Sequence, residues 1–203
     1  MAKIKSEQMS VKPKLDGIAA AIRANKGEKG LPPVHLWSPP FCGDLDIRIA
    51  RDGTWFYLGT PIGRPELVRL FSTILRKDDD KYYLVTPVEK IGITVDDVPF
   101  LAIDFQVKGE DSDQILTFTT SVGDDAVAGP DHAITVTYDP DTQEPSPYVH
   151  IRADLTARID RKSFYRLVDL CTDHVVEGIS WFGLWSSGVF FPVIPTDQLN
   201  PKP

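Results

Sequence analysis

The chain has 203 residues, 42% of them hydrophobic, and sets 22 Lys+Arg against 29 Asp+Glu for a net charge of -7. It is long and apolar enough for one large core or two small ones, and its charge has the wrong sign for holding duplex nucleic acid through the phosphates. Cys42 and Cys171, in unrelated contexts, fit free thiols of a reducing cytoplasm better than a disulfide framework.

Met1 to Lys14 carries Lys3, Lys5, Lys12 and Lys14 without an apolar run, which predicts a basic tail and not a signal peptide. Leu15, Ile18, Ala19 and Ile22 have helical spacing, and Gly27 with Gly30-Leu31-Pro32-Pro33 stops the helix and begins a linker. Leu45, Ile47 and Ile49 alternate with Asp44, Asp46 and Arg48, a strand with one charged face, and Asp52-Gly53 turns it into a second strand at Trp55–Leu58. Pro65 suits a first helical turn, and Leu67, Leu70, Phe71, Ile74 and Leu75 make one apolar stripe ending before Asp78. Tyr82–Thr86, Ile91–Val95 and Phe100–Val107 read as strands, with the seam between two units at Val95–Pro99.

In the second half, Ile115–Thr120, Ala133–Tyr138 and Tyr148–Leu155 are strand-like, joined by polar loops at Gly123–His132 and Asp139–Pro147. Phe164, Leu167, Val168, Cys171 and Val175 form a second helical stripe. The run Gly178–Pro195 carries no charge and is near the lower limit of about 17 residues for a spanning helix. Its glycines and prolines, with Ser186-Ser187-Gly188 at the centre, predict a buried hairpin instead.

A repeat organises these elements. Ile62–Leu70 aligns with Ile159–Leu167 at an ungapped offset of 97, sharing the Ile, two Arg and the final Leu, and the same offset carries one strand region before and one after onto each other. The expected fold class is α+β: two related small units from an internal duplication, each an antiparallel sheet with one packed helix. Residues 1–30 are assigned to the tail and short helix, 31–95 to the first unit and 96–203 to the second, which has extra strands.

Leu36-Trp37-Ser38-Pro39-Pro40-Phe41-Cys42-Gly43-Asp44, Asp52-Gly53-Thr54-Trp55, Pro61-Ile62-Gly63-Arg64, Val85-Thr86-Pro87-Val88-Glu89-Lys90 and Trp185-Ser186-Ser187-Gly188-Val189-Phe190-Phe191-Pro192 together resemble the bacterial family called domain of unknown function 1285. The resemblance runs from the prolines at 32 and 33 to Pro195. It implies a duplicated core, a second domain superficially like a pleckstrin-homology fold and a ligand site at the domain interface. A nucleotide-derived ligand and a part in signal transduction are suggested for such proteins, and no enzyme activity is implied.

Arg64 and Arg161 stand out because a cation at a helix start faces the positive end of the macrodipole, a cost of some tenths of a kcal/mol when exposed. An anion bridging guanidinium and helix amides would offset it; so would an internal pair with Asp44, Asp46, Asp154 or Glu89, the ordinary fate of a partly buried Arg. Trp37, Trp55, Tyr57, Trp181 and Trp185 could stack on a base, though such rings are more often core, and Trp37 beside His35 is the most available. The candidate ligand-binding residues are Arg64, Arg161, Trp37, His35, Asp46, Arg48 and Glu89. No catalytic residue, metal or cofactor is assigned: Cys171-x-x-His174 lacks a second ligand pair, and Asp139–Glu144 is a solvated turn without the pattern of a calcium loop.

The leading expectation is a cytoplasmic, non-enzymatic protein that binds an anionic small molecule, a nucleotide derivative being one class, between the two units. Duplex nucleic acid and membrane are not expected partners, and the oligomeric state stays open. The rivals are a hydrolase-like enzyme using His35, Cys42 and the carboxylates of Asp44 and Asp46, and a protein-binding adaptor.

Overall fold

The computed structural model describes residues 15–24 and 30–199. The predicted basic tail and the stop at Gly27 lie outside them. The described residues pack into two compact units: those up to Leu45 together with Leu70–Ile93, and Asp46–Arg69 together with Thr94 onward.

The first unit begins with α1 (Leu15–Ala24), whose Ile18, Ala19 and Ile22 are buried, as the helical spacing requires. A single 3-10 turn at Val34–Leu36 leads into β1 (Phe41–Ile49), which crosses into the second unit and there continues to β2 (Trp55–Tyr57), β3 (Thr60–Pro61) and the start of α2 (Pro65–Ser72). Back in the first unit are β4 (Leu75–Asp78), β5 (Lys81–Val85) and most of β6 (Lys90–Val95). The 3-10 turn is held to β4 by Arg76, which donates to the carbonyls of Val34 at 3.0 Å and Trp37 at 2.7 Å and pairs with Asp78.

The rest of the second unit runs through β7 (Phe100–Lys108), β8 (Ile115–Thr120), β9 (Asp125–Val127), β10 (Ile134–Tyr138), β11 (Pro145–Arg152), β12 (Leu155–Ile159), α3 (Arg161–Val168), β13 (Thr172–Val176), β14 (Ile179–Ser186), β15 (Val189–Pro195) and α4 (Thr196–Leu199). Alternate residues of β11 and β12 are buried, Val149, Ile151, Leu155, Ala157 and Ile159 joining Phe100, Phe105 and Phe118 in one core. The uncharged run is the hairpin β14–β15. Its tip is tied down by Ser186, fully buried, whose hydroxyl accepts from the Leu116 amide at 2.9 Å and donates to the Ala128 carbonyl at 2.7 Å. Both cysteines are free, and burial pushes the Cys171 thiol up to about 12.

The duplication is visible in strand order. The first sheet reads β3-β2-β1-β6-β5-β4, and in the second half β12-β11-β10 and β15-β14-β13 follow the same order. There, however, β10 and β15 belong to different sheets, and at their seam the Tyr138 hydroxyl donates to the Val193 carbonyl at 2.8 Å. The extra strands β7, β8 and β9 extend the sheet beyond β12. The sheets are not wholly antiparallel: β12 pairs with β7 in parallel, Ala157 opposite Phe100. β1 and β6 also run the same way, since the Lys90 amide donates to Pro40 and the Asp96 amide to Ile49.

Three sequence expectations are corrected. The stripe through Leu75 is not all helix: α2 stops at Ser72, the amides of Thr73 and Ile74 turn back to Leu70 and Phe71, and Leu75 starts β4 opposite Leu84. Ile74 and Leu75 are still buried, because turn and strand both face the core and so prolong the apolar period. Likewise α3 stops at Val168, and His174 and Val175 lie on β13, so Cys171 and His174 do not share a helix face. The loop predicted at 123–132 contains β9.

The two helices also start one residue out of step with the sequence repeat. Asp160, aligned with Gly63, caps α3 by accepting from the Ser163 amide at 2.7 Å, so Arg161 is the first helical residue. Gly63 has no side chain to accept in the same way. In α2 the cap falls on Arg64, whose carbonyl accepts from Val68, and Pro65 takes the first helical position, where its missing N–H costs nothing.

Candidate functional site

A cleft of about 510 Å³ opens in the second unit, at the start of α3. Leu101, Pro145, Pro147, Phe164 and Tyr165 supply its apolar wall, and Arg51, Arg158 and Arg161 its positive charge. Each arginine has a local reason for its position. Arg51 leads the Asp52-Gly53 turn, where Gly53 takes φ +80° and its amide returns to Ala50. Arg158 lies on β12 between buried Ala157 and Ile159, so its side chain leaves by the opposite face. Arg161 is exposed, with its guanidinium 6.0 Å from the ring centre of Tyr165 one helical turn on.

Asp97 organises this charge. Its carboxylate accepts from Arg158 at 2.9 Å, Arg51 at 3.4 Å and the Tyr148 hydroxyl at 3.0 Å, and only 17% of its side chain is exposed. Arg158 also donates to the Ser146 hydroxyl at 3.3 Å. Two of the cleft's acidic groups are occupied locally: Asp52 accepts from the Thr54 amide at 2.9 Å, which holds its carboxyl below the usual range, and Asp160 caps α3. Glu144 is the remaining acid on the wall. The backbone positive end of α3 is thus already met by Asp160, and the guanidinium groups are what the cleft offers an anion.

The other sequence-derived candidates lie elsewhere. Arg64 is exposed outside this cleft, and among the described residues neither it nor Arg161 makes an ion pair with a carboxylate. Arg48 is committed to Asp96 through a two-pronged pair, with contacts of 2.8 to 3.1 Å, and stacks 5.3 Å from Phe56. Asp46 is exposed on β1. His35 is exposed and Trp37 half-buried on the turn held by Arg76, in the first unit. Of the other rings, Trp55 is core at 2% exposure and Trp185 packs 5.3 Å from Phe190 and 4.8 Å from His174.

Glu89, half-buried in the first unit, has its carboxyl raised above the usual range by burial. A folded-state pKa above the unfolded one means that the group's stabilising contribution is full below the unfolded value of about 4.3 and is lost as pH rises through the folded value. Glu89→Gln is therefore expected to raise stability at pH 7 and to change it little below about pH 4. Urea midpoints at the two pH values check this; an unchanged midpoint at pH 7 counts against it.

The N-terminal domain model of DUF1285, a domain of unknown function, matches residues 32–98, and the C-terminal domain model matches residues 99–193. The chain belongs to the DUF1285 family. The crystal structure of a DUF1285 family protein from Silicibacter pomeroyi DSS-3 is 61% identical over 90% of this chain and 97% of its own, with a TM-score of 0.81. A second, from Shewanella baltica OS155, is 30% identical over 61% of this chain and 90% of its own, with a TM-score of 0.47. No curated protein matches the chain. In DUF1285 terms, the cleft takes Arg51 and Asp52 from the N-terminal domain's sequence and Leu101, Arg158, Arg161 and Tyr165 from the C-terminal domain's. Sequence reasoning reached Arg161 but not Arg51, Arg158, Tyr165 or Asp97. The usable signal was Arg158, a lone cation on a strand whose neighbours are all apolar or small.

Proposed function

We propose that this DUF1285 protein is a non-enzymatic, cytoplasmic binding protein for an anionic small molecule with a flat ring system, a nucleotide derivative being the class that fits, and that it acts in signal transduction. The observation that carries the reading is the cleft at the start of α3, where Arg51, Arg158 and Arg161 face an aromatic and proline-lined wall in a volume of about 510 Å³. Volumes of roughly 300–1,000 Å³ with apolar walls and a few convergent polar groups are what small-molecule sites present. Planar guanidinium groups match phosphate or carboxylate two bonds at a time, and Phe164 and Tyr165 give a base a surface to stack on.

Thermal unfolding with a panel of nucleotides and phosphorylated metabolites tests it. A true ligand at about 100 times its dissociation constant stabilises the native state by about 2.7 kcal/mol. Arg161→Ala and Tyr165→Ala are each expected to weaken the best compound at least about tenfold, equivalent to about 1.4 kcal/mol, and added salt to weaken it in the parent. Arg64→Ala, away from the cleft, is expected to leave it unchanged. If no compound moves the transition, or if folded Arg161→Ala binds as the parent does, the reading falls.

A further inference from the structure

Two histidines outside the cleft form a second constellation. His132 closes the turn after β9, where its amide and carbonyl exchange hydrogen bonds with Gly129, and His150 is on β11, its amide bonded to the Ala133 carbonyl at 3.0 Å. Both are half-buried. The rings lie 5.4 Å apart, tilted by 31°, and Nδ1 of one stands 3.4 Å from Nδ1 of the other.

That spacing has a chemical meaning. Two nitrogens bound to one tetrahedral zinc, each about 2.0–2.1 Å from it, are about 3.3–3.4 Å from each other. Nε2 of His150 contacts the carbonyl of Ala153, in the left-handed turn between β11 and β12. A carbonyl accepts only, so the ring proton sits on Nε2 and Nδ1 carries a lone pair, the arrangement that orients metal-bearing imidazoles. Nδ1 of His132 faces the His150 carbonyl at 3.2 Å as well as the His150 ring. Without a metal it is the donor of that contact. Taking up a metal asks His132 to carry its proton on Nε2 instead and to give up its bond to the His150 carbonyl.

We propose that His132 and His150 form a two-imidazole site for a late first-row divalent cation of the zinc or copper class, the ions imidazole nitrogen suits. Among the described residues no third His, Cys, Asp or Glu side chain completes the set. Partial exposure lets water, or a donor from a bound molecule, take the open positions.

Zinc alone, titrated calorimetrically into the full chain, is expected to bind at one equivalent, and His132→Asn and His150→Asn are each expected to lose at least tenfold in affinity. His174→Asn, on β13, is the control that keeps it. His132→Asn leaves the Ala153 contact of His150 in place, so the test survives if His150→Asn fails to fold. Copper(II) bound to the parent is expected to show two nitrogen ligands by electron paramagnetic resonance. No zinc uptake, uptake that folded His132→Asn retains in full, or a single-nitrogen copper spectrum overturns the site.

Discussion

Gly183→Ala is expected to destabilise the second unit by about 2–3 kcal/mol, the upper part of the usual range for overpacking a filled site. Gly183 sits at the irregularity in the β14–β15 ladder, where the register shifts between Phe182 and Gly183. A methyl there would press on the carbonyl oxygen of Phe191, meet Cζ of Phe190 at 2.6 Å and Cα of Pro192 at 3.0 Å. Two of these three obstacles are backbone, and Phe191 is itself a buried core residue, so the strand cannot retreat without dragging the core. The backbone angle of Gly183 needs no glycine; the space does. Urea unfolding measures the effect as a lower midpoint at unchanged slope, and a midpoint within error of the parent would mean that β15 moves freely.

Asp97→Asn is expected to cost about 2–3 kcal/mol. The carboxylate is the shared acceptor of Arg158 and Arg51 and of the Tyr148 hydroxyl, and the side chains of Asp97 and Arg158 are only 17% and 23% exposed. Removing one partner of a buried pair leaves an uncompensated charge, typically about 3–5 kcal/mol. The lower figure allows for the water that still reaches these groups. The amide can still accept from one donor, so the loss comes from charge and not from shape. The same substitution frees positive charge at the cleft, so a nucleotide that binds the parent there is expected to bind the variant more tightly even though the protein is less stable. Opposite signs in the unfolding midpoint and the dissociation constant are the distinctive outcome. Loss of both would place Asp97 in ligand contact, and no loss of stability would show the ion pairs to be solvent-compensated.

The fold was more legible than the site, for a physical reason. The duplicated helix and its flanking strands could be read because Ile62, Leu67 and Leu70 recur as Ile159, Phe164 and Leu167, and one member of each pair is buried while the other is half-buried. Helix ends were misread because the turn after α2 buries Ile74 and Leu75 at spacings that a further turn of helix would also give. The one-residue difference at the helix starts hung on Asp160 having a side-chain acceptor where Gly63 has none. The cleft depends on long-range pairing, which no local pattern encodes. Arg51 and Arg158 meet through Asp97, a residue that reads in sequence as part of an acidic seam, and the two His rings come together only because the turn after β9 folds back on β11.

The parallel pairing of β7 with β12 has a consequence for synthesis. Phe100 and Ala102 of β7 find their partners at Ala157 and Ile159, and the strands between them in the chain, β8 through β11, all emerge first. A growing polypeptide leaving the ribosome can close the hairpin β7–β8 early, but it must hold the other edge of β7 open until residue 159 has cleared the exit tunnel. That edge includes Phe100 and Ala102, both buried in the finished protein. At about 5–20 residues per second the exposure lasts for seconds, and unpaired strand edges are where nascent chains find each other. The extension that covers β12 in the finished protein is thus a segment whose open edge a chaperone could shield while β8 through β11 are being made.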